Sequence, residues 1–278
     1  MEASTLKWFN STIKNLINYT SDIRIDQLTP HKIYEWHQTT SERTTAVTAN
    51  NNLRALKIIL QRLLNAGYLA HNPAQHVAYI EEPPRQPRAI HHDTYQKLRN
   101  HADIRMTAIL DLFWSSGCRL SELTSIQIAT TEFWQLNGRL CFAAVVIGKG
   151  RLGRYRGQRS RHIYADSDQA NSIQNWLQQR PQTAVTDQLF TTIHGHALNK
   201  STISANLRQL RIKASILPNT ISNPHSFRHA FAIRKLNEGH DLAAVSAWLG
   251  HSDPAFTAAT YLTRTETQLR DKYFGNGR

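Results

Sequence analysis

Histidine, arginine and tyrosine residues near the end of the chain have the composition of a phosphodiester-cleaving site. His225 and Arg228 lie three residues apart, His251 follows in a Leu-Gly-His sequence, and Tyr261 lies ten residues further on. A phenol has a pKa near ~10, so Tyr261 needs a proton acceptor to attack a phosphate at neutral pH. The attacked phosphate gains negative charge, which arginine can stabilise with a permanent cation and a planar fork of donors.

An arginine and a glutamate in the middle of the chain add a second group that could bind an anion. Gly117 ends one predicted helix, and Arg119 precedes the next. The start of a helix presents unpaired backbone N–H groups, to which Arg119 adds its charge. Glu122 lies three residues on, close enough to orient the guanidinium. Taken alone, this pattern is more typical of a surface ion pair.

A strongly basic stretch separates two predicted strands, 139–147 and 161–165. Gly-Lys-Gly at 148–150 interrupts the first strand, so we expect Lys149 at the tip of a hairpin. Neighbouring cations would lower the pKa of Lys149 and suit it to proton donation. The segment could follow a DNA backbone or form a solvated loop without a specific partner. Its basic residues are Lys149, Arg151, Arg154, Arg156, Arg159 and Arg161.

The histidine residues should be held by two consecutive helices. Pro224 opens a predicted helix that Gly239 ends, which places His225 and Arg228 on one face near the helix start. A following helix over 241–248 ends at a glycine and delivers the next histidine into a loop.

No metal site is expected. His225 and His229 are four residues apart, a spacing that can bind a metal, but no third ligand cluster follows. The two cysteines, Cys118 and Cys141, have no CxxC partner, so we predict buried, reduced thiols. We therefore predict no metal and no cofactor.

Residues 1–80 predict a small helical domain. Its apolar stripes are Leu6, Phe9, Ile13, Leu16 and Ile17; Ile33 and Trp36 after the helix start at Thr29-Pro30; and Leu53, Leu56, Leu60, Leu63 and Leu64. Arg54, Lys57 and Arg62 interrupt the last stripe on its polar sides. They could meet a DNA backbone or be ordinary solvated charges.

A linker should separate this domain from a catalytic domain. The segment 81–89 contains three prolines, which cannot continue a helix. Residues 90–278 then form the catalytic domain, in which helical patterns at 93–101 and 106–114 precede the two strands.

The charge of the chain points to a polyanionic partner. The net charge is +13, and residues 90–278 carry 23 of the 33 lysines and arginines against 13 acidic residues. No run approaches the ~18 apolar residues of a spanning helix, and the N-terminus lacks the features of a signal peptide. We therefore expect a cytoplasmic protein that binds nucleic acid rather than a membrane.

These motifs, taken together, resemble the tyrosine recombinase family, also called the phage integrases. Gly-Cys-Arg-Leu-Ser-Glu-Leu resembles the family's first arginine motif, and the His-x-x-Arg pair, the Leu-Gly-His histidine and the tyrosine follow in the family's order. The matching positions are Arg119, Lys149, His225, Arg228, His251 and Tyr261, with Glu122 as a supporting residue. The resemblance implies a mainly α, two-domain fold with a small β-hairpin or sheet. It pairs a helical, SAM-like core-binding domain with a mixed α/β catalytic domain.

The resemblance also implies a mechanism. Tyr261 would attack a DNA phosphate to form a 3′-phosphotyrosine and release a 5′-hydroxyl. Arg119, Arg228 and His251 would hold the non-bridging oxygens. Lys149 would protonate the leaving oxygen, and His225 is a candidate proton acceptor. Neither metal nor nucleotide is needed, because the covalent link keeps the energy of the broken bond.

The expected activity is site-specific recombination. A homotetramer would exchange strands between two double-stranded DNA sites through a Holliday junction, with accessory DNA-bending proteins as possible partners. Leu269, Tyr273 and Phe274 of the C-terminal tail could dock on a neighbouring subunit or fold back onto their own domain. Two alternatives remain at this stage: a type IB-like topoisomerase with the same chemistry, and a DNA-binding regulator with a vestigial site.

Overall fold

The computed structural model describes residues 3–82, 88–152, 155–220, 222–251 and 254–261. The chain forms two compact units, Met1–Arg85 and Gln86–Arg278. The division falls inside the segment 81–89 in which the prolines predict a linker. No helix within the described ranges is long and apolar enough to cross a membrane.

Among the described residues of the first unit there are three α-helices: α1 (Ala3–Thr20), α2 (Pro30–Arg43) and α3 (Ala46–Asn65). Thr29 and Thr45 precede α2 and α3, and each side chain accepts a hydrogen bond from the backbone N–H three residues on. These bonds satisfy donors that have no partner within a helix, so the threonines fix where both helices begin. The predicted start of α2 at Thr29-Pro30 is confirmed.

The core of the first unit lies between α2, α3 and the segment that follows them. Its largest buried side chains are Ile33, Trp36, Leu53, Leu56 and Leu60, as the apolar stripes predict. The stripe of α1 is rotated from the expected face, because Leu6 and Ile17 are exposed whereas Thr12 is buried. The Thr12 hydroxyl donates to Asn52 Oδ1 (3.3 Å), which explains how a polar residue is accommodated on the inner face.

The second unit contains eight helices and three strands within the described ranges. They are α4 (His92–His101), α5 (Ile104–Ser116), α6 (Leu120–Leu123), β1 (Thr131–Leu136), β2 (Arg139–Leu152), β3 (Tyr155–Asp166), α7 (Ser167–Gln179), α8 (Lys200–Lys213), α9 (Pro224–Asn237), α10 (Leu242–Leu249) and α11 (Pro254–Tyr261). Phe113, Phe142, Ile163, Ile173 and Phe227 belong to one continuous core formed by helices and sheet. The mainly helical fold with a small sheet is the fold class expected from the sequence, and it is confirmed.

The sheet differs from the predicted hairpin in two ways. It has three antiparallel strands in the order β1-β2-β3, and β1 was not predicted. Asn137 and Gly138, both with positive φ, form the two-residue turn that joins β1 to β2. The expected break at Gly148-Lys149-Gly150 is wrong, because β2 pairs with β3 as far as Leu152 opposite Tyr155. Glycine weakens a strand but keeps the backbone groups that a ladder needs, so pairing continues through this segment.

Candidate active site

The corner between α5 and α6 begins the site. Gly117 ends α5 with a φ of +59°, a conformation that favours glycine. A Cβ at this position would lie 2.9 Å from Cδ1 of Phe231, so the backbone here approaches α9 directly. The Gly117 carbonyl accepts a hydrogen bond from Arg228 Nη1 (3.0 Å). Gly117 therefore lets α5, α9 and the following arginine meet closely.

Arg119 precedes α6 and is oriented by Glu122. Its Nη1 donates to Glu122 Oε1 (2.8 Å), and its backbone N–H donates to Oε2 (2.7 Å). The Glu122 side chain is 1% exposed, whereas that of Arg119 is 38% exposed. Burial raises the pKa of the Glu122 carboxyl, but the charges of Arg161 and Arg119 outweigh burial and lower it overall. The Glu122 carboxylate is therefore ionised, and it holds one edge of the partly exposed Arg119 guanidinium.

Arg228 lies on α9 and joins the ends of two other helices. Its side chain is buried, with Nη1 bonded to Gly117 O and Nη2 to Leu249 O (2.6 Å). Both carbonyls belong to the C-terminal ends of helices, where the helix dipole favours a cation. The cap of α9 is as predicted, with the Asn223 side chain accepting from Ser226 N and proline as the first helical residue.

His225 lies one turn before Arg228 and contacts His229. The two imidazole rings are 4.4 Å apart between centroids and meet edge to face. The pKa of His225 is lowered by burial and by the charges of Arg228 and Arg119. The pKa of His229 is lowered to about 4 by burial, by His225 and by the charge of Arg228. Both rings are therefore neutral at neutral pH. Among the described residues, no group of three or more His, Cys, Asp or Glu side chains could hold a metal ion.

His251 follows the end of α10 and contacts α11. Gly250 ends α10 with a φ of +67°, and the His251 N–H bonds to Ser246 O (3.1 Å). Its Nδ1 lies 2.7 Å from Thr257 Oγ1. Burial and the charges of Arg228, Arg119 and Arg161 lower the pKa of His251 to about 4. The histidines and arginines thus act on one another electrostatically within one site.

Two of the proposed catalytic residues are described only by their backbones. Tyr261 is the last residue of α11, which Pro254 opens. Lys149 lies within β2, opposite Gln158 of β3, rather than at the tip of the hairpin. The basic residues Arg151, Arg156 and Arg159 likewise stand in the strands, and Arg154 lies outside the described residues.

Arg161 does not extend from the hairpin as predicted. Its side chain is 12% exposed, with Nη2 bonded to Glu122 Oε2 (2.8 Å) and Nη1 to Trp248 O. In the structure the two terminal nitrogens of Arg161 therefore bond to protein groups, and its contact with a DNA backbone stays a prediction.

The basic residues of α3 differ in their surroundings. Arg54 is exposed, and Arg62 lies over the Phe9 ring (5.4 Å to the centroid). Lys57 Nζ donates to Val77 O (2.7 Å), and burial lowers its pKa. The ammonium of Lys57 is thus bonded to the backbone that follows α3, and its contact with DNA stays a prediction.

The sequence did not single out Thr257 as part of the site. It lies six residues after His251 and is fully buried, and its hydroxyl joins α11 to the histidine ring. A hydroxyl four residues before the candidate nucleophile was the only available signal, and such a threonine is common in any helix. The sequence indicates for His229 only a spacing from His225 that can bind a metal. In the structure the His229 ring packs against the His225 ring.

Comparisons with known proteins identify the family of the chain. The sequence model of the phage integrase family matches residues 88–268. Tyrosine recombinase XerC of Haemophilus influenzae (strain ATCC 51907 / DSM 11121 / KW20 / Rd) is 29% identical over 260 residues, which cover 85% of this chain and 81% of XerC. XerC of Mannheimia succiniciproducens is 30% identical over 213 residues, which cover 74% of this chain and 66% of that protein.

Solved structures show the same fold. XerH recombinase bound to a palindromic difH substrate, a post-cleavage complex, has a TM-score of 0.74 and 16% identity over 96% of this chain and 78% of XerH. The Tn1549 transposon integrase in complex with transposon right end DNA has a TM-score of 0.74 and 17% identity over 100% of this chain and 95% of that chain. The family match spans more than half of the sequence and confirms the resemblance, so the chain belongs to the phage integrase family and is a tyrosine site-specific recombinase that acts on DNA.

Proposed function

We propose that this recombinase cleaves and rejoins double-stranded DNA sites through a 3′-phosphotyrosine at Tyr261 and a Holliday junction. The observation that carries the proposal is the convergence of cations on two neutral histidines. Arg119 and Arg228 both lower the pKa of His225, and both also lower that of His251. A phosphate that enters this site meets fixed positive charge together with rings that can exchange protons.

The arginines have different parts in binding the phosphate. Arg119 is partly exposed and is held along one edge by Glu122, so its other edge can donate to a non-bridging oxygen. Arg228 is buried between two helix ends, where it supplies a fixed positive charge to the site. We assign Arg119, Arg228 and His251 to the non-bridging oxygens, because charge develops there in the transition state.

Proton transfer requires one acceptor and one donor. His225 is neutral at neutral pH and can therefore accept the proton of the Tyr261 phenol. The new bond joins the Tyr261 oxygen to phosphorus while the bond from phosphorus to the 5′-oxygen breaks, and Lys149 protonates that oxygen. One phosphodiester replaces another, so the reverse reaction rejoins the strand without metal, nucleotide or other cofactor.

Basic residues of both units would bind the flanking duplex. In the first unit the exposed residues are Arg54 and Arg62. From the sequence between the two strands we add Arg151, Arg154, Arg156 and Arg159, whose side chains lie outside the described part of the structure. Phosphate contacts of this kind fix position on the duplex and make binding depend on salt. The net charge of +13 supports this partner, and we propose a cytoplasmic location for the protein.

Strand exchange between two duplexes needs four active subunits, so we propose a homotetramer on DNA, with accessory DNA-bending proteins as further partners. A solved λ integrase structure is described as a dimer bound to a COC′ core site. The tail residues Leu269, Tyr273 and Phe274 lie outside the described residues. Mass photometry on a DNA circle with two sites should show four subunits per pair of sites; two subunits at saturation would contradict the tetramer.

The cleavage step can be tested with a nicked duplex that traps the covalent intermediate. Its sequence would come from recombination junctions mapped by sequencing excised or integrated DNA in the native host. The wild-type protein should form an adduct that survives denaturation, and Tyr261→Phe should form none, with Tyr273→Phe as the matched control. Specific binding without an adduct would favour the regulator, and relaxation of plasmids that lack the site would favour the topoisomerase.

A further inference from the structure

Arg161 connects three elements of the catalytic unit from the inside. It stands on β3 opposite Val146 of β2, so its side chain lies on the inner face of the sheet. Nη2 donates to Glu122 Oε2 (2.8 Å), and Nη1 donates to Trp248 O. One guanidinium thus bridges β3, α6 and the end of α10.

The Glu122 carboxylate transmits the first of these contacts to Arg119. Glu122 Oε2 accepts from both Arg161 Nη2 and the Arg119 N–H, while Oε1 accepts from Arg119 Nη1. A carboxylate as buried as this one is stable as an ion only when its oxygens are paired. Arg161 supplies the second cation and holds the carboxylate in the plane that orients Arg119.

The second contact fixes the backbone just before His251. Trp248 O belongs to the last turn of α10, where carbonyls lack partners within the helix. At Gly250, a Cβ would lie 2.8 Å from both Cδ and Nε of Arg161. The chain that leads to His251 therefore runs directly over the Arg161 side chain, and only glycine permits that approach at a φ of +67°.

We propose that Arg161 is a positioning residue, which holds Arg119 and His251 in one arrangement through Glu122 and the end of α10. It is not one of the arginines that contact the DNA backbone. The inference rests on the proposed function, because it concerns the geometry of the same cleavage site. The position requires an arginine, since the planar fork reaches two acceptors at once and the single ammonium of lysine does not.

The decisive experiment compares cleavage with binding in Arg161→Gln and Arg161→Lys. The rate of adduct formation on the nicked duplex should fall roughly 10²-fold in both variants, the effect expected from misplacing reacting groups by about 1 Å. Affinity for the intact duplex, and its dependence on salt, should stay at the wild-type values. Arg139→Gln removes an exposed arginine of the same sheet and should leave the cleavage rate unchanged.

A DNA-contact role gives the opposite result. Loss of a phosphate contact would weaken binding and reduce the slope of log affinity against log salt by about 0.9. Arg161→Lys would then restore most of the affinity and the cleavage rate. That combination would overturn the proposal.

The pH profile separates positioning through Glu122 from a general structural role. The charge of Arg161 lowers the pKa of both Glu122 and His251. In Arg161→Gln, the pH below which the cleavage rate falls should therefore be higher than in the wild type. Arg161→Lys keeps the positive charge, so this pH should be unchanged. A rate lowered equally at every pH in both variants would count against the proposal.

If Arg161→Gln does not fold, Gly250→Ala tests the positioning role of Arg161 instead. Gly250→Ala keeps every charge but pushes the Arg161 side chain aside, and it should slow cleavage while DNA affinity is retained. Gly67→Ala, at a positive φ with open space around it, controls for backbone strain alone. Wild-type protein that forms no adduct would contradict the proposed function, whereas full-rate cleavage by Arg161→Lys and Gly250→Ala would contradict only the role of Arg161.

Discussion

Thr257 Oγ1 lies 2.7 Å from His251 Nδ1, and this hydrogen bond joins the last histidine of the site to the helix that carries Tyr261. Thr257 is fully buried and precedes Tyr261 by four residues, about one turn of α11. Because one ring nitrogen is engaged in this way, the orientation of the imidazole and the placement of the helix depend on each other.

Removal of the Thr257 hydroxyl should slow cleavage more than it weakens DNA binding. Thr257→Val keeps the shape of the side chain but leaves His251 Nδ1 without this partner. We expect adduct formation to slow about tenfold, which corresponds to about 1.4 kcal/mol, within the range for a lost buried hydrogen bond. Thr257→Ser keeps the hydroxyl and should cleave at nearly the wild-type rate. Equal rates for the valine and serine variants would show that the bond does not matter for cleavage.

The Glu122 carboxylate should contribute to stability in a way that depends on pH. Its pKa is lowered in the folded state, so the contribution is complete above the ordinary glutamate pKa of about 4.3 and is lost as the pH falls through the folded value. Urea denaturation should therefore show a gap between wild type and Glu122→Gln that is largest near pH 7 and narrows towards pH 3. Glu132→Gln, on an exposed position of β1, should show no such gap. A gap that is constant with pH would mean that the charge is not its source.

His251 should remain neutral well below neutral pH. Burial and the surrounding arginines lower its pKa from the ordinary 6.5 to about 4. Between these values the unfolded chain binds a proton that the folded chain does not, so stability decreases as the pH falls from about 6.5 to about 4. NMR of protein labelled at histidine, with the signal assigned through His251→Gln, should show its titration near pH 4. Titration near pH 6.5 would exclude the cationic surroundings described for this ring.

Local sequence signals predicted the elements that hold the site. Asn223, Pro224 and Gly250 act within a few residues of their own position, and each begins or ends a helix as expected. The arginine, histidine and tyrosine motifs lie on or beside those helix ends, which is why their order along the chain was sufficient to identify the family. The positions at which these elements meet one another depend on distant contacts.

The contacts that were missed join residues far apart in the sequence. Arg161 and Trp248 are 87 positions apart, and no local pattern indicates that they meet. A signal did exist in the alternation of β3, because Arg161 has the same parity as the buried Ile163 and Ala165 and therefore faces inward with them. The number of positive charges in the segment suggested a solvated loop instead. Strand β1 was missed although Asn137-Gly138, a typical hairpin turn, marks its end.

Lys57 and Arg54 of α3 should separate stability from DNA binding. Lys57 Nζ donates to the carbonyls of Gln75 (3.3 Å) and Val77 (2.7 Å) and lies 4.6 Å from the Tyr79 ring centroid, whereas Arg54 is exposed. Lys57→Met should lower the free energy of unfolding by about 1 kcal/mol, because two carbonyls lose a donor, and it should leave DNA affinity unchanged. Arg54→Gln should keep that free energy but weaken DNA binding and reduce the salt slope by about 0.9. Fluorescence anisotropy over a salt series and urea denaturation give both quantities for both variants. If Lys57→Met also reduces the salt slope, the ammonium contacts DNA despite its backbone partners, and its assignment to the fold is wrong.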